Sequence, residues 1–255
     1  MSFKNLGLSD ELLNTIQKEG YSEATPVQER AIPLIIKGMD ILAGAQTGTG
    51  KTAAFALPIL NRLQQYKSKK RRIRALILTP TRELAAQVNN SFRTYGIALP
   101  FKTIEIFGGV SMRPQKSKLK KGVDIVVATP GRLLDHLSQN TIDLSGVEVL
   151  VLDEADRMLD MGFKKDIEKV IKQLPEKKQN LLFSATFPKE IQKLASRLLN
   201  SPKKIQVASE NSTAEKVKQT VYPVDQSRKR ELLIHSIKEN NWFQVLVFIK
   251  TKRAA

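Results

Sequence analysis

The 255-residue sequence has no cysteine, two histidines and one tryptophan. Without cysteine there are no disulfides, thiolate metal sites or thiol nucleophiles. With only His136 and His235 as imidazoles, a histidine-rich metal centre is excluded as well. No apolar run approaches the roughly 18 residues that a membrane span needs. The opening MSFKNLGLSD also lacks the basic head and apolar stretch of a secretory signal. These absences fit a cytoplasmic protein with no membrane partner. Acidic charge is scarce too: 25 Asp and Glu stand against 42 Lys and Arg, a formal net charge of +17. A field of that sign attracts polyanions in a salt-dependent way. It is densest in Lys67-Ser68-Lys69-Lys70-Arg71-Arg72-Ile73-Arg74 and again from Arg113 to Lys121. Taken alone, each run is equally readable as a solvated loop that keeps the chain soluble.

What the sequence does contain is an alternation of short β-branched runs with amphipathic stretches. Strands are expected at Asp40–Ala43, Ala75–Thr79, Thr103–Phe107, Ile125–Ala128, Val147–Leu152, Leu181–Ser184 and Lys204–Val207. Helices are expected at Glu29–Lys37, Thr52–Gln65, Arg82–Tyr95, Arg132–Ser138, Phe163–Gln173 and Lys189–Leu199. Such alternation predicts an α/β fold, a parallel sheet sandwiched by helices. Composition turns polar over Ala208–Glu215, which reads as a linker. Domains are therefore expected at 1–208 and 217–255, joined by 209–216. The second piece reads as a strand at Val217–Val224, a helix at Arg228–Lys238 and a buried strand at Gln244–Ile249. A β-α-β unit of that size is too small for a core of its own, so it is expected to be incomplete.

Two motifs carry chemistry. After the first strand, Ala45-Gln46-Thr47-Gly48-Thr49-Gly50-Lys51-Thr52 opens a helix. Glycines let successive N–H groups curl around phosphate oxygens, and the helix N-terminus adds partial positive charge. Lys51 can reach the β- and γ-phosphates, and Thr52 offers a hydroxyl to Mg²⁺. The generic pattern begins with Gly, where this chain has Ala45. About a hundred residues on, Val149-Leu150-Val151-Leu152 delivers Asp153-Glu154-Ala155-Asp156. A carboxylate ending a buried strand beside a phosphate loop suits Mg²⁺, so Asp153 would hold the ion through its water shell. Glu154 would orient and deprotonate the attacking water. Together these residues predict a P-loop NTPase that hydrolyses nucleotide. No Asn-Lys-x-Asp guanine reader occurs, and Leu144-Ser145-Gly146-Val147-Glu148 stops short of the ABC signature.

AQTGTGKT, PTRELA (80–85), Gly108-Gly109, TPGR (129–132), DEAD (153–156) and SAT (184–186) together closely resemble the DEAD-box ATP-dependent RNA helicases. The N-terminal wording looks most like the bacterial RhlE-like subgroup. In that family the loop begins with Ala, which accounts for Ala45. The resemblance runs over the whole chain and implies a RecA-like first domain followed by the opening of a second. GYSEATPVQ (20–28) matches the family's adenine-reading segment, and Phe3 lies seventeen residues before Gly20, where the family has an isolated aromatic. The resemblance implies that Gln28 bonds the adenine edge bidentately, with Thr25 a lesser contact and Tyr21 and Phe3 the aromatic surface. It implies ATP and Mg²⁺ as ligands, and a single RNA strand held by its backbone at Pro80, Thr81, Arg82, Gly108, Gly109, Thr129, Pro130, Gly131 and Arg132. Ser184 and Thr186 would bond the acidic turn at Asp156 and couple nucleotide state to domain movement. Glu83 reads as a helix N-terminal charge, and the run 67–74 belongs to none of these motifs. The family's second domain supplies arginine fingers within His-Arg-x-Gly-Arg-x-x-Arg, a stretch that does not occur here. The expectation is a nucleotide- and RNA-binding half with little turnover alone. The alternative is a non-catalytic, nucleotide-gated RNA- or protein-binding scaffold.

Overall fold

The computed structural model describes residues 2–45, 48–65, 71–206 and 220–249. By contacts the chain divides into a unit spanning Met1–Glu210 and a second spanning Asn211–Ala255. In the first, helices α1 (Asp10–Lys18) and α2 (Pro26–Ile36) precede strand β1 (Ile41–Gly44). There follow α3 (Lys51–Gln65), β2 (Ala75–Leu78), α4 (Arg82–Tyr95), β3 (Thr103–Ile106) and α5 (Met112–Lys120). Next come β4 (Ile125–Ala128), α6 (Pro130–Ser138), β5 (Val149–Leu152), α7 (Ala155–Asp160) and α8 (Lys164–Ile171). The unit closes with β6 (Gln179–Ser184), α9 (Lys189–Leu198) and β7 (Lys203–Gln206).

The seven strands form one sheet in the order β3-β4-β2-β5-β6-β1-β7, and every pairing is parallel. Successive side chains of a strand point to opposite faces, and the sequence fills both. Ala43, Ile77, Val127, Val151, Phe183 and Ile205 join the apolar sides of α1 to α4 in one core layer. Leu76, Val126, Leu150 and Leu182 join those of α6 to α9 in the other. Continuous apolar runs such as Val149–Leu152 are what a strand covered on both faces requires. The edge strands are polar by comparison, and β7 carries exposed Lys203 and Lys204, which discourages edge-to-edge pairing.

All seven expected strands are present, each within two residues of its expected bounds. Helices α1, α5 and α7 were not among the expected helices. The α5 stretch is polar on nearly every side and buries only Gln115, so it has no apolar stripe to betray it. In the second unit, α10 (Lys229–Glu239) forms where a helix was expected. Among the described residues the two expected strands are not seen: 220–225 and 243–249 have no regular structure and residues 244–249 are exposed. A strand needs a neighbour to satisfy its backbone groups, and among the described residues this unit offers only a helix. Residues 217–219 and the expected linker 209–216 lie outside the described residues.

One partly buried ion pair braces the amino ends of the central strands. Arg74, 3% exposed, gives two bonds to Glu148, from Nε (2.8 Å) and Nη2 (3.0 Å), and a third from Nη1 to the Leu63 carbonyl (2.9 Å). Burial opposes ionisation of Glu148, but the Arg74 guanidinium outweighs it and holds the carboxyl below its ordinary value. Removing the carboxylate strands a buried guanidinium, so Glu148→Ala should lower unfolding free energy by about 3 kcal/mol at neutral pH. Because the folded-state value is depressed, wild type loses this advantage on acidification below about pH 4. Urea denaturation at neutral and acid pH checks this, and an unchanged midpoint at neutral pH would refute the bracing role.

Candidate functional site

Parallel strands leave the sheet at one edge, and the loops at that edge carry the phosphate loop, PTRELA, Gly108-Gly109, TPGR, DEAD and SAT. Backbone bonds lock the loops side by side. Asp153 N donates to the Leu78 carbonyl, Thr79 N to that of Ala128, and Thr129 N to that of Ile106, each at 2.9 Å. On the other side Gly44 is registered with Ser184, and Ala45 N donates to the Ser184 carbonyl at 3.2 Å. The edge therefore has two halves. Strands β5, β6 and β1 present the acidic turn, Ser184 to Thr186 and the phosphate loop. Strands β3, β4 and β2 present Gly108-Gly109, Thr129 to Arg132 and Pro80 to Arg82.

In the phosphate loop, Gly48 and Gly50 both have positive φ (82° and 88°), a conformation glycine adopts without a Cβ penalty. A side chain at Gly50 would also collide with Gln28, whose Nε2 would lie 2.3 Å from the added Cβ. The crowding reflects a clamp from α2. Thr25 Oγ1 donates to the Thr49 carbonyl (2.8 Å) and Gln28 Nε2 to the Gly50 carbonyl (3.1 Å). Thr25 N donates in turn to Gln28 Oε1 (2.9 Å), part of a capping box at the start of α2. Gln28 is 1% exposed, so one atom of its amide already holds the loop and the other its own helix. Lys51 is buried at the first turn of α3, with Thr52 beside it. Gln46 and Thr47 lie outside the described residues.

The acidic turn sits close by. Asp153 is almost wholly buried, and burial pushes its carboxyl up to about 6, against the pull of Lys51 and with help from Glu154 and Asp156. Its Oδ1 is buried with no hydrogen-bond partner. Such an atom is costly unless something fills its coordination, and a hard, hydrated cation would do so. No cluster of three or more His, Asp or Glu side chains able to hold a metal exists among the described residues. This donor set therefore fits an ion shared with ligand oxygens rather than a protein-only cage. Glu154 adopts a left-handed conformation (φ 54°, ψ 53°) rare for a side-chain-bearing residue. Its carboxylate accepts from Arg157 Nη1 at 3.2 Å, a partner not foreseen from sequence. Asp156 Oδ2 accepts from both the N and Oγ1 of Thr186, each at 2.9 Å. Asp156 N donates to Ser184 Oγ (3.3 Å), which donates to the Thr186 carbonyl (2.7 Å). Phe187, also missed, packs so close to Gly44 that a Cβ there would lie 2.8 Å from its ring.

On the other half, Arg132 Nη1 donates to the Val110 carbonyl at 2.9 Å, tying TPGR to the glycine pair. The Arg82 guanidinium lies against Gly109, and Thr81 Oγ1 caps α4 by accepting from Leu84 N. Glu83 is in the first turn of α4, paired with Arg82 at 2.6 Å. Pro130 is buried, while Thr129, Gly131 and Gly108 are partly open. Behind them the buried ring of His136 spans Thr141 Oγ1 (2.7 Å) and Gln115 Oε1 (3.2 Å), and Gln115 Nε2 donates to the Phe107 carbonyl. The two aromatics that the resemblance sets near the nucleotide differ in exposure. Tyr21 is 43% exposed, edge-on to Tyr95, but Phe3 is 4% exposed. Phe3 belongs to the core because Ser2 caps a short 3-10 turn, Phe3–Leu6, that rotates the ring inward.

Sheet, phosphate loop and acidic turn together define a P-loop domain of the RecA type. The model of the DEAD/DEAH box helicase family matches residues 25–194, and the chain belongs to that family. It is 42% identical over its whole length to the DEAD-box ATP-dependent RNA helicase RhpA of Helicobacter pylori strain B128, covering 51% of that protein. It is 41% identical to the ATP-dependent RNA helicase CshA of Limosilactobacillus reuteri, over 99% of this chain and 50% of that one. The chain thus spans about half the length of the curated relatives it matches. Among solved structures, a DEAD box protein from Methanococcus jannaschii matches with TM-score 0.77 and 40% identity, over 99% of this chain and 67% of that one. A hypothetical ATP-dependent RNA helicase from Sulfolobus tokodaii matches with TM-score 0.73 and 38% identity, over 78% and 57%.

The Asp153 carboxyl, raised in the folded state, makes ionisation a cost to folding that is absent below the unfolded value near pH 4 and complete above about pH 6. Asp153→Asn should therefore be more stable than wild type at pH 7, by on the order of 2 kcal/mol, with the gain vanishing near pH 4. Thermal melts across that range check it; equal stability at pH 7 would contradict the burial described.

Proposed function

We propose that this chain is the nucleotide- and RNA-binding half of an ATP-dependent RNA helicase, acting in the cytoplasm. The observation that carries the reading is the partnerless Asp153 Oδ1 beside a glycine-shaped loop ending in Lys51 and Thr52. Gly48 to Thr52 offer N–H groups and the α3 terminus to phosphate oxygens, and Lys51 supplies the charge for the terminal phosphates. The residues that would hold Mg²⁺ are Thr52 and Asp153, and the ion would neutralise charge on the terminal phosphates. Glu154 orients and accepts a proton from the attacking water. Releasing Glu154 from Arg157 is part of that role, since the ion pair occupies one of its oxygens.

Adenine recognition falls to Gln28, with Thr25 and Tyr21 in support. Gln28 has one amide hydrogen and one lone pair beyond those spent on Gly50 and Thr25. Base contact and loop contact would thus share one side chain. Thr81, Arg82, Gly108, Gly109, Thr129, Gly131 and Arg132 offer hydroxyls, backbone groups and guanidiniums suited to phosphate contacts without base reading. Asp156, Ser184 and Thr186, already bonded together, form the link by which the phosphate site would move its neighbours. Residues 217–255 read as the start of a second RecA-like domain. The arginine fingers it would supply are worth about 10³–10⁵ in rate in comparable NTPases. The RhlE-like wording of the N-terminus belongs to the same proposal.

Two measurements test this. Fluorescent ADP should bind the chain, and ATP turnover with RNA should stay far below the rate reached when the second half of a relative is added. Rapid RNA-stimulated turnover by the chain alone would overturn the reading. Because Gln28 also holds the loop, Gln28→Ala weakens all nucleotides somewhat. The specific expectation is that preference for ADP over GDP collapses toward unity, and a preserved preference would remove Gln28 as the adenine reader.

A further inference from the structure

The basic residues Arg71 and Arg72, part of the densest cationic run, lie at the edge of the sheet opposite the site just described. Backbone bonds continue the ladder there as they do at the carboxyl edge. Asp124 N donates to the Lys102 carbonyl, Arg74 N to that of Asp124 and Glu148 N to that of Arg74, each at 2.8 Å. The approaches to β3, β4 and β2 thus form one row, with neighbouring strands about 5 Å apart. Crossover helix α5 returns to this edge and ends at Lys120, capped by Lys121.

Charges in this row are sorted by direction. The acids next to the strand starts, Asp124, Glu148 and Asp40, are already engaged, while Asp143 is exposed in the loop before β5. Asp124 is buried and accepts from Lys102 N (2.8 Å), Glu148 is taken by Arg74, and Asp40 accepts from Asn180 N and Asn200 N. The bases turn outward. Lys102, Lys120 and Lys121 are exposed and, among the described residues, form no ion pair. Arg71 is laid against Gly122, where a Cβ would lie 3.2 Å from its Cδ, and its guanidinium is steadied by the Pro100 carbonyl (3.3 Å) and Asp124 (3.8 Å). Arg72 is half-exposed beside Glu148 (3.4 Å). Lys118 is paired with Glu105 and Glu176 is exposed farther along, beside Lys177. Attraction of lysines to a helix C-terminus accounts for Lys120 and Lys121, but not for Lys102, Arg71 or Arg72 in the same row.

We infer that Arg71, Arg72, Lys102, Lys120 and Lys121 form a second RNA-backbone surface, on the edge of the domain away from the phosphate loop. It takes phosphates by charge alone, without reading bases. The choice of RNA as polyanion rests on the proposed function; the cationic row does not. A long RNA engaged at the carboxyl edge would be held again by its flanking backbone here.

The test is binding of a labelled RNA hairpin with single-stranded flanks, by anisotropy over a range of salt, without nucleotide. The variant Lys102→Gln/Lys120→Gln/Lys121→Gln touches only exposed side chains, and an unchanged melt confirms its fold. Its affinity at low salt should fall about tenfold or more, and its log–log salt slope should shrink by about 2, roughly 0.7 for each phosphate no longer neutralised. ADP binding should be unaltered. Affinity and slope equal to wild type would overturn the surface. Arg82→Gln, at the carboxyl edge, separates the two claims. If it binds normally while the triple variant fails, the second surface stands and the carboxyl-edge assignment falls. The converse result leaves that assignment and removes the surface.

Discussion

Every strand of the sheet runs the same way, and the rest of the molecule follows from that constraint. Seven parallel strands must end at one edge, so their loops meet whatever their separation in sequence. Strand order then decides which loops are neighbours. With β6 placed between β1 and β5, the Ser184 to Thr186 turn bridges phosphate loop and acidic turn. With β2 and β4 adjacent, Thr79 N reaches the Ala128 carbonyl. The amino edge inherits the complementary property: its loops also form a row, with Asp124 and Glu148 engaged by neighbours and Lys102, Lys120 and Lys121 left exposed.

Both edges carry stability and strain. At the amino edge the buried Arg74 guanidinium gives three hydrogen bonds, to Glu148 and the Leu63 carbonyl, while Arg62 Nε, Thr103 Oγ1 and Asn180 Oδ1 lack partners. The carboxyl edge carries its costs beside the phosphate loop. Asp153 is buried with an oxygen lacking a partner, and Glu154 sits in a left-handed conformation. Costs of this kind persist where surrounding structure enforces them, and they concentrate at functional sites. The clamp of Thr25 and Gln28 on the phosphate loop is a further shared duty, since one amide holds the loop that it is proposed to help fill.

Much of this is legible in the sequence because the signals are periodic or chemically dense. Short β-branched runs such as Val149–Leu152, bounded by turn signals, suit strands buried on both faces, and the Gly48-Thr49-Gly50-Lys51 turn needs its glycines. The Asp156–Thr186 bonds are ones that the family resemblance implies. What escapes notice has no periodic mark. Helix α5 buries a single glutamine, the Phe187–Gly44 contact arises from tertiary packing, and the local Glu154–Arg157 pair accompanies the left-handed turn at Glu154. Phe3 by itself reads as a core or staple residue, and only its place in the family pattern points to the nucleotide. The apolar alternation of Val245, Val247 and Ile249 resembles a strand, yet periodicity cannot supply the neighbour that a strand requires.

The central claim is that the partnerless oxygen of Asp153 completes a cation site only when nucleotide phosphates share the ion. Electron paramagnetic resonance of Mn²⁺, titrated into the chain with and without a non-hydrolysable ATP analogue, tests it directly. The account predicts a tightly bound Mn²⁺ signal that requires the analogue and disappears in Asp153→Asn, while the nucleotide still binds. Tight Mn²⁺ binding without nucleotide, or a signal that survives Asp153→Asn, would contradict it.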